Sequence, residues 1–309
     1  MVTIRHIAEQ CGVSVASVSK ALNNAPDIGF ETANRIRQVA RSLGYFPNAA
    51  ARALRTNHSY NIGVLFVDGT SSGLTHEYFS EVLDSLKNEA ERNGYDVTFI
   101  SCNIGHTSMS YLEHCKYRNC DGVVIASVDF QDPSIAELVN SRIPVVTIDY
   151  VFDNCGAVVS DNVQCMRDLV RYVYGKGHRI IAFIHGEDTA VTRFRLASFY
   201  RTCEELGVST PDKYIRKGLY HDPCSSGLAT RELLELDDPP TCILYPDDFS
   251  FIGGMNEIER KGLVIPDDIS VTGFDGIYLS RVLRPKAHDI KAGLKEDRRA
   301  GREAARKCD

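Results

Sequence analysis

Four carboxylates stand just beyond short apolar runs in this sequence. Asp68 follows I-G-V-L-F-V, Asp149 follows V-V-T-I, Asp247 follows I-L-Y-P, and Asp275 follows T-G-F. Arg193 and Arg195 lie beyond a fifth run, I-A-F-I-H-G, and Tyr78, Phe79 and Phe274 stand close to such positions. A carboxylate accepts from neighbouring hydroxyls, a guanidinium donates to them, and a flat ring covers apolar carbons. That combination suits a polyol or sugar. A strand-end Asp also serves as the cap of the helix that follows it, and for any one of these residues alone both roles fit.

A second constellation occupies the head of the chain, T-I-R-H-I-A-E-Q-C-G-V-S-V-A-S-V-S-K-A-L over residues 3–22. Ile4, Ile7 and Ala8 recur at helical spacing behind Thr3 as N-cap, and Gly12 supplies a tight turn. Ser14 caps a second helix, along which Val15, Val18 and Leu22 keep the period. Two short helices about a glycine turn make a helix-turn-helix. The second exposes only Ala16, Ser17, Ser19 and Lys20, so its backbone can lie close to the floor of a DNA major groove. Hydroxyls there hold phosphates, and Lys20 reaches a guanine edge or a phosphate.

The elements that must position these groups follow from periodicity. A third helix over 31–43 buries Ala33, Ile36, Val39, Ala40 and Leu43, with Gly44 closing it. Asn48 caps an alanine-rich stretch over 48–56 carrying Arg52 and Arg55, too short to be helical unless something holds it. From residue 61 the pattern changes to strands at 62–67, 96–100, 122–126, 145–148, 180–184, 241–244 and 269–272. Helices at 78–93 and 108–118 stand among them. Such alternation predicts parallel sheets joined by right-handed crossovers, arranged in two lobes. Ligands of such folds sit beyond the carboxyl ends of the strands, here in the cleft between lobes.

Composition limits the alternatives. The 309 residues are 43% hydrophobic and 25% charged, which excludes disorder, collagen-like repeats and a disulfide miniprotein. The net charge of −6 is unevenly spread: residues 1–60 carry seven Lys+Arg against three Asp+Glu, whereas 61–309 carry 28 against 38. A basic head on an acidic body points the head toward a polyanion. No run of about 18 apolar residues is present to span a bilayer, and no apolar stretch follows Met1 as a signal peptide would require. The expected location is the cytoplasm. The ten cysteines contain no C-x-x-C pair. Cys115 and Cys120 beside His114 read as a fragment of a metal site or, as expected here, as unpaired thiols in a reducing compartment. Neither metal nor cofactor is expected. Absence of P-loop, G-x-S-x-G, H-E-x-x-H and strand-linked G-x-G-x-x-G motifs argues against an enzyme. A free-standing sugar-binding protein is disfavoured by the missing export signal.

The head, together with R-I-R-Q-V-A-R-S-L-G-Y-F-P-N-A-A-A-R-A-L-R-T, resembles the LacI/GalR family of bacterial repressors. The body resembles the family's effector domain, which is similar to periplasmic sugar-binding proteins, through S-D-N at 160–162, G-H-R-I-I-A-F-I at 177–184, R-L-A at 195–197 and I-P-D-D-I-S-V-T-G-F-D at 265–275. The resemblance implies an N-terminal all-α helix-turn-helix domain (1–47), a hinge helix and linker (48–60), and an α/β two-lobed effector domain with parallel sheets (61–286). It makes 14–22 the recognition helix, with Val15, Ala16 and Lys20 facing bases and Thr3, Ser14, Ser19 and Asn23 near phosphates. Asn48, Ala51 and Leu54 fall in the hinge helix, Leu54 as a wedge in a minor-groove base step. In the cleft, Arg195 clamps effector hydroxyls while Asp149 and Asp275 accept from them, and Tyr78 and Phe79 fall in the first pocket loop. Asp247 stands where the family usually has Asn. The implied whole is a homodimeric repressor on a pseudo-palindromic DNA operator, tuned by a small effector such as a sugar. Residues 287–309 depart from the family pattern as a frameshifted or truncated tail would.

Overall fold

The computed structural model describes residues 2–46, 53, 58–67, 73–209 and 212–278. Asn48, Ala51, Leu54, Asp68 and the tail at 287–309 lie outside the described residues. The chain divides into two compact units between Ser59 and Tyr60.

The first unit is helical. Helices α1 (Ile4–Cys11), α2 (Val15–Leu22) and α3 (Phe30–Ser42) close around Ile7, Val18, Ala21 and Ile36, all fully buried. Thr3 N–H donates to His6 Nδ1 at 3.2 Å, a capping arrangement with histidine where Glu or Gln is usual. Gly12 takes φ +62° between α1 and α2, a conformation that costs a residue with a Cβ. Ser14 Oγ then accepts from Ser17 N–H at 3.1 Å and starts α2. Arg35 ties α3 to α1 by donating to the Cys11 carbonyl at 3.2 Å. One expectation fails: Val15 is not part of the buried stripe but 39% exposed, because the first turn of α2 projects past the α1–α3 packing. The buried positions are Val18 and Ala21, with Leu22 partly covered.

The second unit carries two parallel sheets. Strands β1 (Asn61–Phe66), β2 (Asp96–Ile100), β5 (Gly122–Ala126), β6 (Val145–Ile148) and β7 (Gly156–Val158) form the first, ordered β2-β1-β5-β6-β7. Strands β8 (Ile181–His185), β9 (Ile215–Lys217), β10 (Cys242–Leu244) and β11 (Ser270–Thr272) form the second, ordered β11-β10-β8-β9. A two-residue ribbon, β3 (Asn103–Ile104) with β4 (Thr107–Ser108), completes the described strands. In both sheets the order reverses beside the first strand, at β1/β5 and at β8/β10. Loops leaving the carboxyl ends at such switch points face a crevice.

Helices α4 (Glu77–Arg92), α5 (Tyr111–Tyr117) and α6 (Pro133–Val139) cover the first sheet, whose core gathers Leu65, Val123, Ile125 and Leu138. Helices α7 (Asn162–Gly175), α8 (Ala190–Glu205), α9 (Pro223–Leu234) and α10 (Ser250–Arg260) accompany the second, with Phe183 and Phe199 in one core and Tyr245 and Phe251 in another. Residues 108–110, read as helix in the sequence, belong to the ribbon and its exit: the Ser110 hydroxyl accepts from Glu113 N–H at 3.2 Å, so α5 begins at Tyr111. Strands β7 (G-A-V) and β9 (I-R-K) were not legible as strands, since neither short segment stands in an apolar run of the kind that marks β1, β5 and β8. Among the described residues no helix is long and apolar enough to cross a membrane.

Candidate functional site

In the helical unit the outer face of α2 is the chemically distinctive surface. Thr3, Ser14, Val15, Ala16, Lys20 and Asn23 are exposed, and Ser19 is half-buried. Asn23 Nδ2 donates to the Ser19 carbonyl at 2.6 Å and closes the end of the helix. Lys20 Nζ bonds Asp27 Oδ2, an exposed pair that draws the Asp27 carboxyl below its ordinary value. A ligand anion taken up by Lys20 must therefore compete with Asp27. An exposed valine beside alanine and two serines gives a surface with methyl groups and hydroxyls and no bulk, matched to thymine methyls and phosphates.

The α/β unit brings strand-end residues of both sheets together. After β6, Asp149 adopts φ +58°. Its Oδ2 accepts from Tyr78 Oη at 2.9 Å and its Oδ1 from Ser160 N–H at 3.0 Å. Burial pushes the Tyr78 hydroxyl well above its usual pKa, and the neighbouring Asp149 charge adds to the rise. Tyr78 and Phe79 stand on the first turn of α4 rather than in a loop, so helix packing fixes their direction. Phe79 packs on Phe66 with ring centroids 5.3 Å apart.

From the second sheet, Arg195 is buried at 6% exposure. Its Nε donates to Asn162 Oδ1 at 2.8 Å and its Nη1 to the Pro246 carbonyl at 2.7 Å, while the guanidinium lies 4.0 Å from the Phe274 ring centre. Asp247 is engaged four times: it accepts from the N–H groups of His221, Phe249 and Ser250 and from Ser250 Oγ, at 2.7–2.9 Å. Capping, the alternative open in the sequence, is thus present at Asp247, which also borders the cleft. Asp248 lies against Gly273, where an added Cβ would fall 2.0 Å from its Oδ1, and accepts from Ile277 N–H at 2.9 Å. Asp275, at φ +89°, faces the same space. Arg193 does not join this group; it is exposed and paired with Asp188 at 2.8 Å.

Several residues at the cleft were not singled out in the sequence. His221 is stacked between Phe249, at 4.0 Å, and His76, at 4.2 Å, so the stack runs from one lobe to the other. Glu77 Oε1 accepts from Tyr278 N–H at 2.6 Å, a second interlobe tie. Tyr220 Oη is bonded to Thr192 Oγ1 at 2.9 Å, and burial raises its pKa. The signal was present: H-D-P at 221–223 is a helix start, with Asp222 accepting from Cys224 and Ser225 N–H and Pro223 in the first turn. Assigning β9 before it would have marked 218–222 as another strand-end loop. His76, Tyr78, His221, Asp247, Phe249 and Asp275 enclose a cavity of about 10 Å³, room for about one water. Asp149, His221 and Asp275 all have left-handed backbones, and such strain concentrates where a binding site over-determines the chain. Among the described residues no group of three or more His, Cys, Asp and Glu is arranged for a metal ion.

Comparison with known proteins covers both units. Residues 3–48 match the profile described as bacterial regulatory proteins, lacI family, and residues 61–290 match periplasmic binding proteins and sugar binding domain of LacI family. The "Probable HTH-type transcriptional repressor ExuR" of Bacillus subtilis (strain 168) is 31% identical over 295 residues, spanning 94% of this chain and 86% of its own length. The HTH-type transcriptional repressor CytR of Escherichia coli (strain K12) is 28% identical over 287 residues, spanning 92% and 82%. A lac repressor dimer bound to operator and the anti-inducer ONPF shares the fold at TM-score 0.81 and 24% identity, over 99% of this chain and 92% of that one. A regulatory protein of LacI family from Chloroflexus aggregans aligns at TM-score 0.68 and 25% identity, over 78% and 87%.

Proposed function

The chain belongs to the LacI family of bacterial regulatory proteins, and from that premise we propose that it is a transcriptional repressor whose operator affinity is set by a small polyhydroxylated effector. One observation supports the reading: the same chain exposes a helix of short side chains and has a cleft lined by Tyr78, Asp247 and Asp275, with Tyr78 bonded to Asp149 and Arg195 buried near the same strand ends. Val15, Ala16 and Lys20 read bases; Thr3, Ser14, Ser19 and Asn23 hold phosphates; Asn48, Ala51 and Leu54 belong to the hinge segment. As a homodimer it meets two half-sites about one helical turn, or a multiple of it, apart. The work of such a protein is in the cytoplasm.

In the cleft, Asp149 and Asp275 accept from effector hydroxyls, Arg195 donates to them, and Tyr78 and Phe79 border the ring face. Asp68, two residues beyond β1 in the sequence, is assigned the same role, while Arg193 and Asp247 act at the margin, one paired outward and one holding the loop after β10. The enclosed space is too small for a sugar, so binding must part the His76–His221 stack and the Glu77–Tyr278 tie. An effector that binds the parted and joined forms unequally shifts their populations, and operator and effector affinities are coupled reciprocally.

The test is fluorescence anisotropy with duplexes from upstream of the protein's own gene, at several salt concentrations. Sequence-selective binding that falls steeply with salt is expected, since each phosphate contact releases counterions. Equal binding to every duplex would overturn the reading. A panel of sugars in the same assay should shift the isotherm for one of them.

A further inference from the structure

Helix α5 ends in a turn that brings two thiols together. After Tyr117, Arg118 keeps helical dihedrals and Asn119 turns left-handed at φ +51°. Cys120 N–H donates to the Cys115 carbonyl at 2.9 Å, and Asn119 N–H to the Lys116 carbonyl at 3.0 Å. These are the two bonds of a Schellman motif, whose geometry places the third-last helical side chain against the second residue beyond the cap. That contact is usually apolar. Here both positions are cysteine, in the segment C-K-Y-R-N-C, so the motif sets their side chains against each other.

The two sulfurs have different surroundings. Cys115 is fully buried in the core with Leu112, Ile125 and Leu138, whereas Cys120 is half-exposed. Cys120 Sγ accepts from Asn61 Nδ2 at 3.6 Å, and Asn61 is itself held by the Arg118 carbonyl at 3.1 Å and by Thr98 Oγ1 at 2.8 Å. The neighbouring Cys115 thiol draws the Cys120 thiol below its ordinary pKa against burial and the Asp121 charge, with the Arg118 charge assisting. Their interaction, then burial, drives Cys115 far upward. The more acidic, partly exposed thiol therefore sits against an enclosed one that keeps its proton, the pairing of a nucleophile with a resolving partner.

We propose that Cys115 and Cys120 are a hydroperoxide-sensitive pair that closes reversibly to an intrachain disulfide, with Cys120 attacked first. The Cys120 thiolate attacks the terminal oxygen of a hydroperoxide; an S–O bond forms, the O–O bond breaks, and the departing alkoxide takes a proton to leave as an alcohol. Cys120 is thereby oxidised by two electrons to a sulfenic acid. Cys115 then attacks that sulfur; the S–S bond forms, the S–O bond breaks, and hydroxide leaves with the Cys115 proton as water. Two thiols and one hydroperoxide become a disulfide, an alcohol and a water. A bond spanning four intervening residues restricts the unfolded chain little, so it is poised for reduction rather than built for stability. The turn also grips the start of β1, since Asp121 N–H donates to the Asn61 carbonyl at 2.9 Å and Asp121 Oδ2 accepts from Tyr60 N–H at 2.9 Å. Oxidation thus acts where the chain enters its second unit.

The experiment treats the full chain with hydrogen peroxide, blocks remaining thiols with iodoacetamide, and maps tryptic peptides. Cleavage after Lys116 and Arg118 puts the two cysteines on separate peptides, so they stay joined only through a disulfide. The joined species should appear, vanish with dithiothreitol, and form about tenfold faster than oxidation of exposed Cys224. With Cys115→Ser, dimedone should label Cys120 as a trapped sulfenic acid; with Cys120→Ser, Cys115 should stay unlabelled. Free, alkylatable Cys115 and Cys120 at peroxide levels that oxidise Cys224 would overturn the proposal, and this measurement needs no variant.

Discussion

The outer face of α2 and the cleft of the α/β unit both present polar groups to a partner, yet they are built in opposite ways. On α2 the groups are exposed and cost the fold almost nothing: Lys20 pairs with exposed Asp27, and Val15 lies outside the core. In the cleft every group is tied down. Arg195 commits two of its five N–H donors to Asn162 and Pro246, Asp247 holds four donors, and Tyr78 is locked to Asp149. A surface that reads a stiff polyanion needs little more than the right side chains on a rigid rod. A site for a small neutral ligand must fix each dipole beforehand, because the ligand brings few contacts with which to order them.

The difference predicts that binding and stability separate on α2 and travel together in the cleft. The largest effect is expected from Arg195→Ala, which strands buried Asn162 and Pro246 acceptors and removes the cover over Phe274. A loss of about 2–4 kcal/mol in chemical denaturation is expected, together with loss of effector response. A normal unfolding curve would break the comparison. Next is Lys20→Ala, expected to weaken operator binding by about 1–3 kcal/mol in anisotropy while the melting temperature stays put. A matching fall in stability would show that α2 is not the free surface described here. Tyr78→Phe removes one bond to Asp149, which keeps its Ser160 partner; about 1 kcal/mol of effector affinity should be lost in calorimetry, with operator binding in the absence of effector unchanged. Smallest is Asp27→Asn, which releases Lys20 and removes a negative charge; operator affinity should rise severalfold at low salt and converge with the parent at high salt. No change at low salt would show that the Lys20–Asp27 pair does not compete with DNA.

How much of this was readable from the residues differs between the regions. Helices at 4–11, 15–22 and 30–42 followed from local caps and a 3.6-residue period, which need no knowledge of the rest of the chain. Asp149 and Asp275 were legible as strand-end residues because each follows a short β-branched segment, V-V-T-I and I-S-V-T. His76, His221 and Phe249 were not, since neither a histidine nor a phenylalanine in a loop marks itself, and β9, I-R-K, carries too little apolar character to announce the loop that follows it. Arg193 and Arg195 look equivalent in sequence; their fates diverge because two residues along a helix turn a side chain by about half a circle, one into the core and one to solvent.

The sequence by itself determined a helical head followed by alternating strands and helices, the basic head and acidic body, and the family, since each rests on periodicity, composition or local spacing. Tertiary structure alone decided which polar groups meet. Two lobes bring residues more than a hundred positions apart into one stack, and one helix-ending turn sets two thiols side by side. Contacts of both kinds depend on where backbones run in space, a quantity no local pattern encodes.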